Sequence, residues 1–257
     1  MRGVKTNMTK RMLFSFSVIA AAAVVAVGAT TAFFNDTETS TGNIFTAGAI
    51  DLTVDSLGAF RNGVGIPAAP WESTNLTSEK FFDFDDVKPG DWFRRSISLH
   101  VEDNPAWACL LVRNPQDDEN GLTDPEHEAG DDTPEIGELS QNLHALGWFD
   151  SNPNGKLDST EQTFIDSFFD VFTEIALHDS TTRNGALEPE IPIELLQLNL
   201  CAGTSVVLRD GTVTCDGSSM DDQSQTDELR ADLQLYVEQV RNNPDFECSN
   251  LGERLPD

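Results

Sequence analysis

The stretch Leu229-Arg230-Ala231-Asp232-Leu233-Gln234-Leu235-Tyr236-Val237-Glu238 is the cleanest two-residue alternation in the chain. Leu229, Ala231, Leu233, Leu235 and Val237 fall on one side of an extended backbone, with polar side chains between them. That pattern belongs to a strand with one buried face. Leu229, Leu233 and Tyr236 also fit i, i+4, i+7, so a helix is the competing reading; the unbroken alternation favours the strand. Trp92 to Val101 repeats the pattern, with Ile97, Leu99 and Val101 set against Ser96, Ser98 and His100. Before it, Val87-Lys88-Pro89-Gly90-Asp91 has type II turn chemistry: proline presets one φ and glycine takes a positive one.

Other strand signals lie on both sides. Thr46 to Asp55 carries Ala49, Leu52 and Val54, and Gly58 to Pro70 reads as a Gly/Pro-rich loop. Trp107 to Val112 is an apolar run expected to bury Cys109. Ser205–Leu208 and Thr212–Cys215 flank Arg209-Asp210-Gly211, a hairpin turn. The middle of the chain differs. Gln116 to Glu138 is acidic and Gly/Pro-punctuated, hence a surface loop. Leu139, Leu143, Leu146 and Trp148 suit a short helix. Phe164, Ile165, Phe168, Phe169, Phe172 and Ile175 suit the apolar face of another, packed into a core. The expected fold is mainly β: an antiparallel β-sandwich built from 46–112 and 201–250, with a helical, acidic insertion over 113–200.

The chain has 257 residues and a formal net charge of −28, from 44 acidic and 16 basic side chains. Such a balance argues against nucleic acid as a partner, since phosphates need Lys and Arg to neutralise them. It favours cations, salt or simple solubility. Residues 1–32 hold Arg2, Lys5, Lys10 and Arg11 and no acidic residue. An apolar run from Leu13 to Val27 follows, then small residues to Ala32, the layout of a secretory signal. If residues 13–34 stay uncleaved they are long enough to anchor the protein in a bilayer; no other segment is apolar enough to span one. An even count of four cysteines in an exported chain reads as two disulfides. The favoured pairing is Cys201–Cys215, closing a short loop, and Cys109–Cys248.

One motif has specific chemistry. Residues 150–161 read Asp-Ser-Asn-Pro-Asn-Gly-Lys-Leu-Asp-Ser-Thr-Glu, matching the twelve-residue EF-hand calcium loop. Asp150, Asn152 and Asn154 would supply oxygens at positions 1, 3 and 5. Gly155 makes the turn, Lys156 offers its carbonyl, Asp158 stands at position 9 and Glu161 closes the site bidentately. The expected metal set is therefore Asp150, Asn152, Asn154, Lys156, Asp158 and Glu161, holding Ca²⁺ as a structural ion between two helices. With three carboxylates and no second loop, a dissociation constant on the order of 10⁻⁴ to 10⁻³ M is expected. His100, His127, His144 and His178 are scattered, and no HExxH, GxSxG, P-loop or GxGxxG occurs, so no catalytic constellation is visible.

Ala29 to Leu52 resembles the start of the TasA/camelysin family, whose signal peptides are of the type cut by the SipW signal peptidase. Phe33, Phe45, Ala47, Gly48, Asp51 and Leu52 carry the likeness, and Lys88-Pro89-Gly90-Asp91 with the strand after it resembles a second block of that family. The resemblance implies a jelly-roll protein secreted to the cell surface or matrix. Some members form biofilm fibres in which the N-terminal segment of one subunit adds a strand to the next. Here residues 33–45 would be the leader and candidate donor strand. Camelysin-type members are described as metallopeptidases, yet this chain shows no metal-ligand triad to support that. The expectation is a non-enzymatic structural protein of a surface, fibre or matrix that self-assembles or joins other surface proteins. The alternatives are a surface adhesion or binding module and, below it, a secreted metallopeptidase.

Overall fold

The fold was established from a computed structural model, which describes residues 35–39, 50–67, 70–171, 173–189 and 194–253. The expected signal 1–32, residues 33–34 and 40–45 of the expected leader, residues 46–49 and Phe172 lie outside the described residues. The described chain is mainly antiparallel β, in thirteen strands.

The alternating stretch is β13 (Glu228–Gln239), and it lies inside a four-stranded sheet. Its neighbours are β1 (Asn35–Thr39) at the edge and β6 (Ala106–Asp118), with β9 (Glu174–His178) beyond β6. The second sheet runs in the order β3 (Val64–Gly65), β2 (Leu52–Arg61), β5 (Trp92–Val101), β10 (Leu195–Ala202), β7 (Leu143–Asp150), β8 (Thr163–Phe168). Strand β4 (Trp71–Thr74) also pairs with β2. A two-stranded ribbon, β11 (Thr204–Val207) with β12 (Val213–Asp216), completes the set. The turn between them has Gly211 at φ 79°, as the Asp-Gly pair requires. The turn before β5 is also as expected, with Asp91 N–H donating to the Lys88 carbonyl at 2.9 Å and Gly90 at φ 86°.

One apolar core fills the space between the two large sheets. Leu52, Val54, Ile97, Leu99, Phe149, Leu196 and Leu198 meet Ala108, Leu110, Ile175, Leu177, Leu235 and Val237 there. The outer face of the four-stranded sheet is also covered. Trp107, Cys109, Leu111 and Tyr236 pack under the C-terminal residues Phe246, Cys248 and Leu251. The Cys109–Cys248 disulfide, with Cα atoms 5.7 Å apart, staples that cover. Asp179 fixes it further, accepting from the Cys248 backbone N–H at 3.1 Å. The second disulfide, Cys201–Cys215, ties β10 to the ribbon. Both pairings agree with the sequence expectation, and two disulfides fit an oxidising, extracellular-type environment. Among the described residues no helix is long and apolar enough to cross a membrane.

The helical insertion is corrected. Within 113–200 the helices are Asp124–Ala129 and Leu139–Asn142, with a 3-10 turn at Phe169–Val171. The rest of its regular structure is strand, and β7, β8, β9 and β10 complete both sheets rather than forming an appendage. Every residue of β7 is buried: Ala145 and Phe149 face the main core, while Leu146 and Trp148 pack against Leu157 and Val213. A strand buried on both faces loses its alternation and reads as an apolar run, which mimics helical spacing. The Phe164–Ile175 series is two short strands joined by the 3-10 turn, and Ile175 and Leu177 alternate inward. Gly147 in β7 is required locally, since a Cβ there would collide with the Phe164 ring lying across it. The Gly58–Pro70 loop is also shorter than expected, because β2 runs on to Arg61.

Candidate functional site

The loop 150–161 joins β7 to β8, which are antiparallel neighbours with Trp148 opposite Thr163. It is therefore a hairpin loop, and the helix-loop-helix setting expected from sequence is corrected. The strands hold it from below. Trp148, fully buried, donates its indole N–H to the Lys156 carbonyl at 2.9 Å. Leu157 N–H donates to the Gly211 carbonyl at 2.8 Å, joining the loop to the ribbon turn.

The six expected ligands do come together on this loop, but as hydrogen-bonding partners of one another. Asp150 is 1% exposed. Its Oδ1 accepts from Asn154 N–H at 3.1 Å, and its Oδ2 accepts from Gly155 N–H and from the Gln197 amide, each at 2.7 Å. The Asn152 and Asn154 amides both donate to Asp158 Oδ2, at 2.6 and 3.0 Å, and hold its carboxyl below the usual range. Glu161 accepts from Ser151 N–H through Oε1 at 2.8 Å and from Asp158 N–H through Oε2 at 3.0 Å. The Lys156 ammonium reaches Asp210 Oδ2 at 2.9 Å and, with Thr212, holds that carboxyl down to about 2.

The Arg94 guanidinium donates to the Gly155 carbonyl and lies within Coulombic reach of Asp150. Burial lowers the Arg94 pKa, and the Asp150 charge offsets part of that. Tested against calcium, the loop has the right oxygens and the glycine pivot (Gly155, φ 71°). However, its carboxylates are capped by N–H donors, Lys156 O is engaged, and an arginine stands beside Asp150. The three carboxylates Asp150, Asp158 and Glu161 do not converge within 4.8 Å of one another. In this structure the loop's carboxylates are engaged by its own N–H groups.

A second group escaped the sequence reading, which assigned residues 116–138 to a solvated acidic loop. Asp117, Glu119, Glu126, Asp131, Glu138 and Asp227 gather where the end of β6, the 124–129 helix and the start of β13 meet. Oxygens of Glu119, Glu126 and Asp227 lie within 4.8 Å of one another, as do oxygens of Glu119, Asp131 and Glu138. Burial, with the Glu119 and Asp117 charges, pushes Asp227 up to about 7. Burial and the neighbouring Asp131 and Glu119 charges raise Glu138, and burial raises Asp117. Asp131 goes the other way, because the Thr133 hydroxyl and N–H stabilise its ionised form. The available signal was Thr123-Asp-Pro-Glu126, a helix start whose glutamate turns back onto the Thr123 N–H.

The third feature is the sheet edge. β1 pairs antiparallel with β13, Asn35 opposite Glu238 through Thr39 opposite Gln234. It is a strand of five residues and pairs on one side only, among the described residues. No protein-family model matches the chain, and no curated protein matches it.

Proposed function

We propose that this chain is a secreted structural protein of a cell surface, fibre or matrix, and that copies join by exchanging the N-terminal strand. The observation that carries the reading is the position of Asn35–Thr39 as a short edge strand on β13. A five-residue strand on an edge contributes few contacts, and its removal would bare the N–H and C=O groups along 234–238. An equivalent segment from a neighbour restores the same ladder, which is β-augmentation between identical subunits. The two disulfides, the jelly-roll-like resemblance and the lack of any catalytic constellation in the sequence support a durable extracellular building block.

The test is electron microscopy and sedimentation of the purified protein beside a variant lacking Asn35–Thr39. Fibres from the intact chain and none from the deletion are expected. A monomer under all conditions, or fibres that survive the deletion, would sink the reading.

A further inference from the structure

Each of the six carboxylates around Glu119 has one oxygen held by the fold and one left over. Asp117 Oδ2 accepts from Ser140 N–H at 2.8 Å, Glu119 Oε1 from Gly121 N–H at 2.9 Å, and Asp227 Oδ2 from Glu138 N–H at 2.7 Å. Asp131 Oδ1 accepts from Thr133 N–H at 2.7 Å, and the single Thr133 hydroxyl proton is shared between Asp131 Oδ1, at 2.6 Å, and Glu138 Oε1, at 2.9 Å. Glu126 Oε2 accepts from Thr123 N–H. The remaining oxygens, Asp117 Oδ1, Glu119 Oε2, Glu126 Oε1, Asp131 Oδ2, Glu138 Oε2 and Asp227 Oδ1, are buried and accept from no N–H or hydroxyl group; Glu119 with Asp227, and Asp131 with Glu138, approach as carboxyl–carboxylate pairs. Glu126 is 0% and Asp131 3% exposed.

An uncompensated buried carboxylate is among the costliest groups a protein can hold. Of the six, Glu126 and Asp131 are buried and the other four are half-buried, which is more than a solvated acidic surface. His127 lies within Coulombic reach of Asp131, but no described ammonium or guanidinium offsets the group. Among the described residues no Lys or Arg pairs with any of the six: Arg230, the nearest in sequence to Asp227, is taken by Glu228 and Asp118. Backbone leaves little room for bulk: a Cβ on Gly137 would stand 3.0 Å from both Asp117 Oδ1 and Asp227 Cγ.

We propose that these carboxylates form a calcium-class divalent-cation centre, with Glu119 as the ligand common to both of its triads. A hard cation is the partner that an all-oxygen carboxyl donor set selects. The size agrees as well. Oxygens bound to one Ca²⁺ ion at about 2.3–2.6 Å lie no more than roughly 4.6–5.2 Å apart, and the oxygens of each triad lie within 4.8 Å of one another, close enough to share an ion. The anchored oxygens supply the outer layer of hydrogen bonds that orients metal ligands. Thr133, Ser140, Gly121 and Thr123 do that here. The ion would clamp the start of β13 to the end of β6 and to the 124–129 helix.

The test uses the purified full-length protein stripped with EGTA at neutral pH. CaCl2 is titrated in by calorimetry, and Tm is read with and without the ion, with MgCl2 as the comparison. Calcium should bind saturably and raise Tm, and Mg²⁺ should raise it less. Glu119→Gln and, as a second variant, Glu138→Gln should weaken calcium binding about 10-fold or more and shrink the Tm rise. Glu161→Gln, in the 150–161 loop, should keep both. In EGTA, Glu119→Gln should melt at or above the wild-type Tm, because it removes a repelling charge; a merely structural glutamate would lower Tm in both conditions. Wild-type protein that ignores calcium, an equal or greater Mg²⁺ effect, or a calcium response lost in Glu161→Gln but kept in Glu119→Gln would each overturn the assignment.

Discussion

The loop 150–161 and the carboxylates around Glu119 are both dense in acidic side chains, yet they spend them differently. In the loop, Asp150 takes three hydrogen bonds and Glu161 caps two backbone N–H groups. Around Glu119 each carboxylate is fixed by one oxygen and leaves the other buried without a donor. In the first the oxygens are engaged within the loop; the second is the set proposed above as aimed ligands. Asn, Asp and Gly at alternate positions serve any tight loop, because they accept from nearby N–H groups and tolerate positive φ. A calcium-loop spacing therefore spells turn chemistry first. What separates a turn from a metal site is whether the oxygens have something else to do.

That contrast can be broken experimentally, beginning with the largest effect. Trp148 is fully buried beneath the loop, so Trp148→Ala should cost about 3–5 kcal/mol, equally in calcium and in EGTA, by denaturant unfolding. A cost present only in EGTA would mean that the ion, not the core, holds the loop. Removing the Cys201–Cys215 bridge, whose cysteines are 14 residues apart, should cost about 3 kcal/mol by the chain-entropy argument. It loosens the ribbon against which Trp148 and Leu157 pack, and calorimetric calcium affinity should not change. Gln197→Ala removes the side-chain amide that bonds Asp150 and should cost about 1–3 kcal/mol, again with no effect on calcium. The smallest stability effect is expected at Thr133→Val, about 1 kcal/mol. There the change should appear instead as a calcium affinity about 10-fold weaker. Thr133→Val with unchanged calcium affinity would erase the distinction between the two regions.

The fold was legible wherever strands keep one wet face. Glu228–Gln239 and Trp92–Val101 announce themselves by alternation, the Pro-Gly turn and the Asp-Gly turn sit where their chemistry demands, and both disulfides could be paired. Strands covered on both sides were not legible. Leu143–Asp150 is buried throughout, with Trp148 facing one layer and Phe149 the other, so nothing polar marks its period. The Phe164–Ile175 series hid a strand, a turn and another strand behind a helical spacing. The cation centre was harder still. Glu119, Glu126, Asp131 and Glu138 are local in sequence, but Asp227 lies about a hundred residues away. In a chain with 44 carboxylates, nothing in the sequence distinguishes those whose second oxygen is left without a donor.

The pairing of β1 with β13 has a consequence for the order of events as the chain is made. Asn35–Thr39 emerges roughly two hundred residues ahead of its partners, 234–238. β6 must wait for β13 as well, over a separation of more than a hundred residues. Such long-range pairings close late, after loop entropy has been overcome. Until Glu228–Gln239 has been made, β1 lacks its partner in its own chain and the four-stranded sheet lacks the strand that joins β1 to β6. In the proposed strand exchange a nascent subunit therefore offers no acceptor edge before β13 docks, and the spacing of two strands along the sequence would act as a clock on assembly.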